Sequence, residues 1–199
     1  MLRNIAVLVS GGGTNLQALI DAQAKEGLGG GRIALVVASK PEAYALTRAD
    51  SAGIPTRVVS RRDYADADAF ADALLAVLEE FGIELVVLAG FLYVLPPRFV
   101  RRYERRILNV HPSLIPSFCG DGFYGLRVHR AALEYGVKVT GATVHFVNEV
   151  TDGGEILLQK AVDVLPGDTP ETLQRRVMEQ AEWQLLPQAV RLLCSGEIE

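Results

Sequence analysis

The stretch that decides the fold is residues 5–20, Ile-Ala-Val-Leu-Val-Ser-Gly-Gly-Gly-Thr-Asn-Leu-Gln-Ala-Leu-Ile. Its first five residues are aliphatic without interruption, the signature of a parallel strand buried on both faces. Three glycines follow, and then Leu16, Leu19 and Ile20 recur at helical spacing. Strand, glycine turn and helix in succession open a βα unit. Backbone N–H groups and the positive end of the helix dipole face any anion held at such a turn. Two readings of residues 10–15 stand side by side: a phosphate cradle, or a plain βα turn with Thr14 or Asn15 as N-cap. A dinucleotide site is disfavoured, because the turn is not G-x-G-x-x-G and no acidic residue ends the second strand near Ala38 and Ser39.

Outward from this unit the same alternation continues. Residues 27–31 form a glycine-rich loop and residues 33–38 a second buried strand. The pattern predicts a helix over 42–52 closed by Gly53, a short strand over 56–59, and an amphipathic helix over 64–81. That helix carries Phe70, Leu74, Leu75 and Leu78 on one stripe and ends at Gly82. Residues 83–89 are expected to form a fourth strand, almost wholly apolar. A helix over 128–135 ending at Gly136, a strand over 137–147 and a last strand over 156–164 follow. Asp168 or Thr169 caps the final helix, with Pro170 in its first turn and Pro187 predicting a kink. The expected fold is therefore α/β: a Rossmann-like, doubly wound, mostly parallel sheet with helices on both faces, residues 1–199 making one domain.

Composition narrows the class. Of 199 residues, 49% are apolar and 22% charged, ordinary for a globular protein. The formal net charge of −4 offers no general attraction to nucleic acid. Arg98, Arg101, Arg102, Arg105 and Arg106 form a local basic run, read as a solvated helix face. Two cysteines, Cys119 and Cys194, make neither a disulfide framework nor a metal site, which fits a reducing cytoplasm. Met1 to Asn4 lead straight into a strand-like run, so neither a signal peptide nor a membrane span is expected.

Candidate chemistry collects around residues 107–116, ILNVHPSLIP. Asn109 and His111 lie two apart and point the same way on an extended backbone. Pro112 stops the strand at His111. An amide and an imidazole are thus presented at a strand's carboxyl end, where open α/β sheets bind ligands; a satisfied structural pair is the competing reading. Residues 90–95, GFLYVL, leave the fourth strand at the same edge, either as a loop packed onto the core or as a greasy slot for a flat aromatic ring. Asp152 precedes Gly153 and Gly154, where the backbone can turn sharply and aim a carboxylate; a simple turn is the alternative. His145, alone inside a strand, reads as a hydrogen-bonded structural residue. Cys119 sits in the mobile-looking loop SFCGDGFYGLR (117–127) with nothing nearby to activate it.

The run Asn109-Val110-His111-Pro112-Ser113-Leu114-Ile115-Pro116 resembles the N-[IV]-H-P-[SA]-L-[LI]-P signature of phosphoribosylglycinamide formyltransferases, and the resemblance extends from Ser10 to about Pro187. It implies the formyltransferase fold and transfer of the formyl group of 10-formyltetrahydrofolate to the amine of phosphoribosylglycinamide in purine biosynthesis, by direct attack through a tetrahedral intermediate. By the same resemblance, Asn109, His111 and Asp152 are catalytic. Gly13, Thr14 and Asn15 hold the ribonucleotide phosphate, and Glu182 the ribose. Leu92, Tyr93, Val94 and Leu95 contact the folate pterin. The loop of Asn148, Glu149, Val150, Thr151 and Asp152 supplies further folate contacts together with Asn109. The chain departs from the family where Tyr93 stands in place of an arginine, near Ala67 where another arginine is usual, in the longer 117–127 loop, and in one extra residue ahead of Glu182. The implied partners are the two small molecules, with no metal, nucleic acid or membrane, and the protein as a cytoplasmic monomer or homodimer.

That residue set suits the reaction. Attack of a neutral amine on a formyl carbon creates an oxyanion, for which Asn109 and a protonated His111 are expected donors. Asp152 then supports the imidazolium and accepts or relays the amine proton. Methionyl-tRNA formyltransferases share this core but carry a C-terminal tRNA domain; formyltetrahydrofolate deformylases add an N-terminal regulatory domain. The length and acidity of this chain lead us to expect neither. A non-enzymatic nucleotide-binding module would explain the glycine loop but not the convergence of Asn109, His111 and Asp152.

Overall fold

The computed structural model describes residues 3–198. Seven strands form one sheet: β1 (Arg3–Val9), β2 (Gly31–Ala38), β3 (Thr56–Val58), β4 (Leu85–Leu88), β5 (Ile107–His111), β6 (Val139–Phe146) and β7 (Ile156–Asp163), in the spatial order β3-β2-β1-β4-β5-β6-β7. Pairing from β3 through β5 is parallel, whereas β6 runs antiparallel to β5 and β7 antiparallel to β6. The sheet is thus mostly parallel, as expected. The chain builds outward from β1 in one direction through β2 and β3, then crosses back to lay β4 on the other side. This reversal opens a crevice beyond the carboxyl ends of β1 and β4.

Both faces of the central strands are covered, which is why β1 reads as continuous aliphatics. Ile5, Val7 and Val9 face a core with α1 (Thr14–Lys25), α2 (Ala45–Ser51), α6 (Pro170–Val177) and α7 (Trp183–Ser195). Ala6 and Leu8 face a second core with α3 (Ala67–Glu80) and α4 (Pro97–Arg102), where Phe70, Leu74, Leu78 and Phe99 are buried. A further helix, α5 (Leu126–Tyr135), joins β5 to β6 and ends in left-handed Gly136.

Several boundaries shift for local reasons. α2 begins three residues after its predicted start, and α3 is preceded by a separate 3₁₀ turn at Arg61–Asp63, because Asp66 caps it by accepting from Ala69 N at 2.8 Å. Neither Thr14 nor Asn15 caps α1; Gly13 is the cap residue, at φ 72, with no side-chain bond. Thr169 caps α6 through a full capping box, with Pro170 at the first helical position. The final helix is broken not by Pro187 but by a π turn at Met178–Glu182. A π turn holds one more residue than an α-helical turn, and Glu182 is the last residue of this one. Only part of the basic run lies on a helix. Arg98, Arg101, Arg102 and Arg105 make exposed ion pairs with Asp72, Glu149, Glu79 and Glu155, each worth about 0–1 kcal/mol.

Candidate active site

Antiparallel pairing builds the chemical end of the crevice. β5 and β6 are in register with Asn109 opposite His145 and His111 opposite Thr143. Opposed residues share a face, so four polar side chains form one patch while Leu108, Val110, Val144 and Phe146 point into the core on the other side. Loop 112–120 crosses over this patch. Thr143 Oγ1 donates to Ser113 O at 2.7 Å and accepts from Ile115 N at 3.1 Å.

The β6–β7 hairpin loop brings Asp152 onto the same patch. The turn is not made by the glycines alone: Asp152 itself adopts φ 53, in the left-handed region. Gly154 is required for a different reason, since a Cβ there would lie 1.7 Å from Phe146 O. Asn148 stitches the loop by donating to Gly153 O and accepting from Val150 N. Glu149 pairs with Arg101 of α4, and Thr151 donates to Asp121 of the 117–127 loop.

The resulting constellation is compact. Asn109 Nδ2 lies 3.2 Å from His145 Nε2 and 3.5 Å from Asp152 Oδ1. Asp152 Oδ2 accepts from Gly120 N at 2.9 Å and lies 3.5 Å from His111 Nδ1. His111 Nε2 sits 2.9 Å from Phe118 O. A carbonyl only accepts, so that nitrogen carries a hydrogen, and in the neutral ring Nδ1 presents its lone pair towards Asp152. His145 Nδ1 meets Phe146 O at 2.8 Å, which leaves its Nε2 to face Asn109 and Asp152.

Burial pulls the His111 imidazole below its ordinary value, and outweighs the opposing pull of Asp152 and the Phe118 hydrogen bond. Burial thus favours the neutral ring over the imidazolium, while Asp152 favours the charged one. Burial also works against the Asp152 carboxylate, but the His145 hydrogen bond, the neighbouring His111 ring and the Gly120 N–H together hold it below the usual carboxylate range. Cys119 is no nucleophile in waiting. Its thiol donates to Pro116 O, and burial and Asp152 push it up.

A cavity of about 540 Å³ runs from this patch to the glycine turn after β1. Gly11, Gly12, Gly13, Thr14 and Asn15 line its far end; Leu92, Tyr93, Val94, Leu95 and the loop 147–152 line its side wall. The 90–95 loop divides between the core and the cavity. Leu95 is buried in the core, while Leu92 and Val94 are exposed at the cavity rim. The loop is anchored to β1, with Leu92 N donating to Ser10 Oγ and Ser39 Oγ donating to the same oxygen. Tyr93 stacks edge-on between Phe70 and Phe91, and Tyr64 extends the row beyond Phe70. Among the described residues no lysine or arginine lines this cavity; Arg61 instead donates to Tyr64 O.

Glu182, the last residue of the π turn, is buried at the cavity wall and accepts from Asn15 Nδ2 at 2.7 Å. Burial pushes its carboxyl up to about 7, against the pull of Asn15. His145 is a buried, hydrogen-bonded residue as expected, and it also faces Asn109 and Asp152. The signal was present in the strand's alternation, where Thr143 and His145 fall in one phase and Ala142, Val144 and Phe146 in the other. Its relevance needs the β5–β6 register, which no single strand displays.

Comparison with known proteins gives the family. Residues 3–190 match the formyl transferase family model. The trifunctional purine biosynthetic protein adenosine-3 of Gallus gallus is 48% identical over 98% of this chain, and the chain spans 19% of that protein. The phosphoribosylglycinamide formyltransferase of Haemophilus influenzae is 40% identical over 99% of this chain and 90% of its own length. Among solved structures, glycinamide ribonucleotide transformylase 1 from Symbiobacterium toebii superposes with a TM-score of 0.92 at 44% identity, covering 100% of this chain and 91% of that one. Phosphoribosylglycinamide formyltransferase from Brucella melitensis gives 0.88 at 42%, covering 100% and 99%. The chain belongs to the formyl transferase family.

Proposed function

We propose that this protein transfers the formyl group of 10-formyltetrahydrofolate to the amine of 5'-phosphoribosylglycinamide, giving formylglycinamide ribonucleotide for purine synthesis, with residues 1–199 acting as one formyltransferase domain. The observation that carries the reading is the meeting of Asn109, His111 and Asp152 at one end of a cavity whose other end is the glycine turn of α1. Phosphate at Gly13, Thr14 and Asn15, and ribose at Glu182, would direct the glycinamide amine towards Asn109. The apolar rim of Leu92 and Val94 suits the flat face of a pterin, with the 148–152 loop closing over it. When bound, the folate supplies the formyl group and its nitrogen leaves with one proton.

Charge develops on the formyl oxygen as the amine attacks, and the Asn109 amide is the donor placed to meet it. His111 Nε2 meets Phe118 O, which leaves Nδ1 as the nitrogen that faces Asp152. Its Nδ1 lone pair, 3.5 Å from Asp152, is placed to receive the proton that the amine sheds. Asp152 then holds the imidazolium, and the proton returns to the leaving folate nitrogen. His145 and the Gly120 N–H keep Asn109 and Asp152 aimed.

The proposal requires only small-molecule partners and is compatible with a cytoplasmic monomer or homodimer; no helix of the described residues is long and apolar enough to cross a membrane. The test follows loss of formyl folate by ultraviolet absorbance with glycinamide ribonucleotide, tRNA or water as acceptor. Turnover with the ribonucleotide alone supports the proposal. Turnover with tRNA, or equal turnover without an added acceptor, refutes it.

A further inference from the structure

We infer that Arg48 is a positioning residue that aims the backbone of the glycine turn at the ribonucleotide phosphate, acting from outside the site. Arg48 does not line the active cavity. Its Nε donates to Gly12 O at 2.8 Å and its Nη1 to Gln17 Oε1 at 3.0 Å, while the Tyr44 ring lies 5.1 Å from its guanidinium carbon. One turn earlier on the same short helix, Ala45 N donates to Gly11 O at 3.1 Å. Two successive carbonyls are therefore pinned on α2.

In a planar trans peptide the C=O and the next N–H point in opposite directions. Pinning Gly11 O and Gly12 O on α2 turns the N–H groups of Gly12 and Gly13 away from it, and Gly11, Gly12 and Gly13 all line the cavity on that opposite side. Successive N–H groups aimed one way form an anion-binding concavity. The packing leaves no slack: Gly13 sits at φ 72, and a Cβ there would lie 2.6 Å from Ala45 Cβ. An independent feature points to a ligand in the same place. Asn15 is 9% exposed, lines the cavity, and its Oδ1 has no protein partner while its Nδ2 holds Glu182. A buried amide oxygen of this kind is ordinarily paired, and a hydroxyl or protonated phosphate oxygen is the group it would accept from.

This inference rests on the proposed ribonucleotide reading, and the test separates the two. Inorganic phosphate is titrated as a competitive inhibitor against the ribonucleotide in wild type, Arg48→Met and Arg48→Lys, with steady-state constants for both substrates and a thermal melt. Loss of a charge-assisted hydrogen bond predicts that Arg48→Met raises both the phosphate inhibition constant and the ribonucleotide KM roughly tenfold or more. It leaves kcat and the folate KM within about threefold, and Arg48→Lys, which can bond Gly12 O but not Gln17 as well, falls between. If phosphate competes in wild type and both variants bind it as wild type does, Arg48 positions nothing and the inference fails while the function stands. Equal rises in both KM values mean general loosening and also overturn it. Absence of competition by phosphate in wild type overturns the ribonucleotide reading itself. Should Arg48→Met not fold, Arg48→Lys with Gln17→Leu carries the same comparison.

Discussion

Replacing Glu182 by glutamine should uncouple the stability of the protein from pH across the neutral range. The Glu182 carboxyl is 6% exposed and its ordinary value of 4.5 is raised to about 7, chiefly by burial. The folded state therefore holds a proton on this group more tightly than the unfolded chain does. Between the two values the unfolded state binds fewer protons, so stability falls as pH rises, and the loss is complete just above pH 7. A shift of this size corresponds to roughly 3 kcal/mol. Glutamine keeps the shape and an oxygen for Asn15 Nδ2 but cannot ionise. In urea denaturation of the ligand-free protein at pH 5, 6, 7 and 8, the difference in stability between Glu182→Gln and wild type is expected to be small at pH 5. It should grow in favour of the variant to about 3 kcal/mol at pH 8. Parallel stability profiles for the two proteins would refute the claim that a buried, reluctant carboxylate sits against Asn15. If Glu182 holds the ribose as proposed, the variant's ribonucleotide KM should rise at the same time, because a carboxylate is a stronger acceptor than an amide.

Two further substitutions probe the ends of the cavity. Gly13→Ala places a methyl 2.6 Å from Ala45 Cβ at φ 72, and we expect a cost of about 1–3 kcal/mol by chemical denaturation with a ribonucleotide KM raised more than the folate KM; an unchanged KM would remove the glycine turn from the site. Val94→Asp puts a charge at the exposed rim of the proposed pterin slot. Calorimetry is expected to show folate affinity falling well beyond ribonucleotide affinity, and equal losses would contradict the assigned division of the cavity.

Much of the architecture is legible in the sequence because burial on both faces leaves an unmistakable mark. β1, β2 and β4 read as aliphatic runs, and β5 stops at His111 because Pro112 follows it. Helix starts vary in legibility: Thr169 and Pro170 announce α6, whereas Asp66 sets the start of α3 inside the expected helix and α1 begins on the left-handed backbone of Gly13. Asn109, His111 and Asp152 stand out as residues, but their roles depend on what faces them. Phe118 O fixes which nitrogen of His111 is protonated, and burial works against a second proton. His145 joins the set only through its register with Asn109, and Arg48 acts through a carbonyl on another element. Such pairings are long-range, and no local pattern encodes them.

The central claim is that His111 and Asp152 act as one proton-accepting unit for the glycinamide amine. The direct measurement is a double-mutant cycle on kcat with saturating glycinamide ribonucleotide and formyl folate, using wild type, His111→Asn, Asp152→Asn and the double variant, with circular dichroism confirming the fold of each. Each single change is expected to cost roughly 10²–10⁴-fold, the usual scale for a general acid–base group. Because either residue is of little use alone, the double variant should be far less impaired than the product of the two losses. Strictly multiplicative losses, or a wild-type rate in Asp152→Asn, would contradict the account.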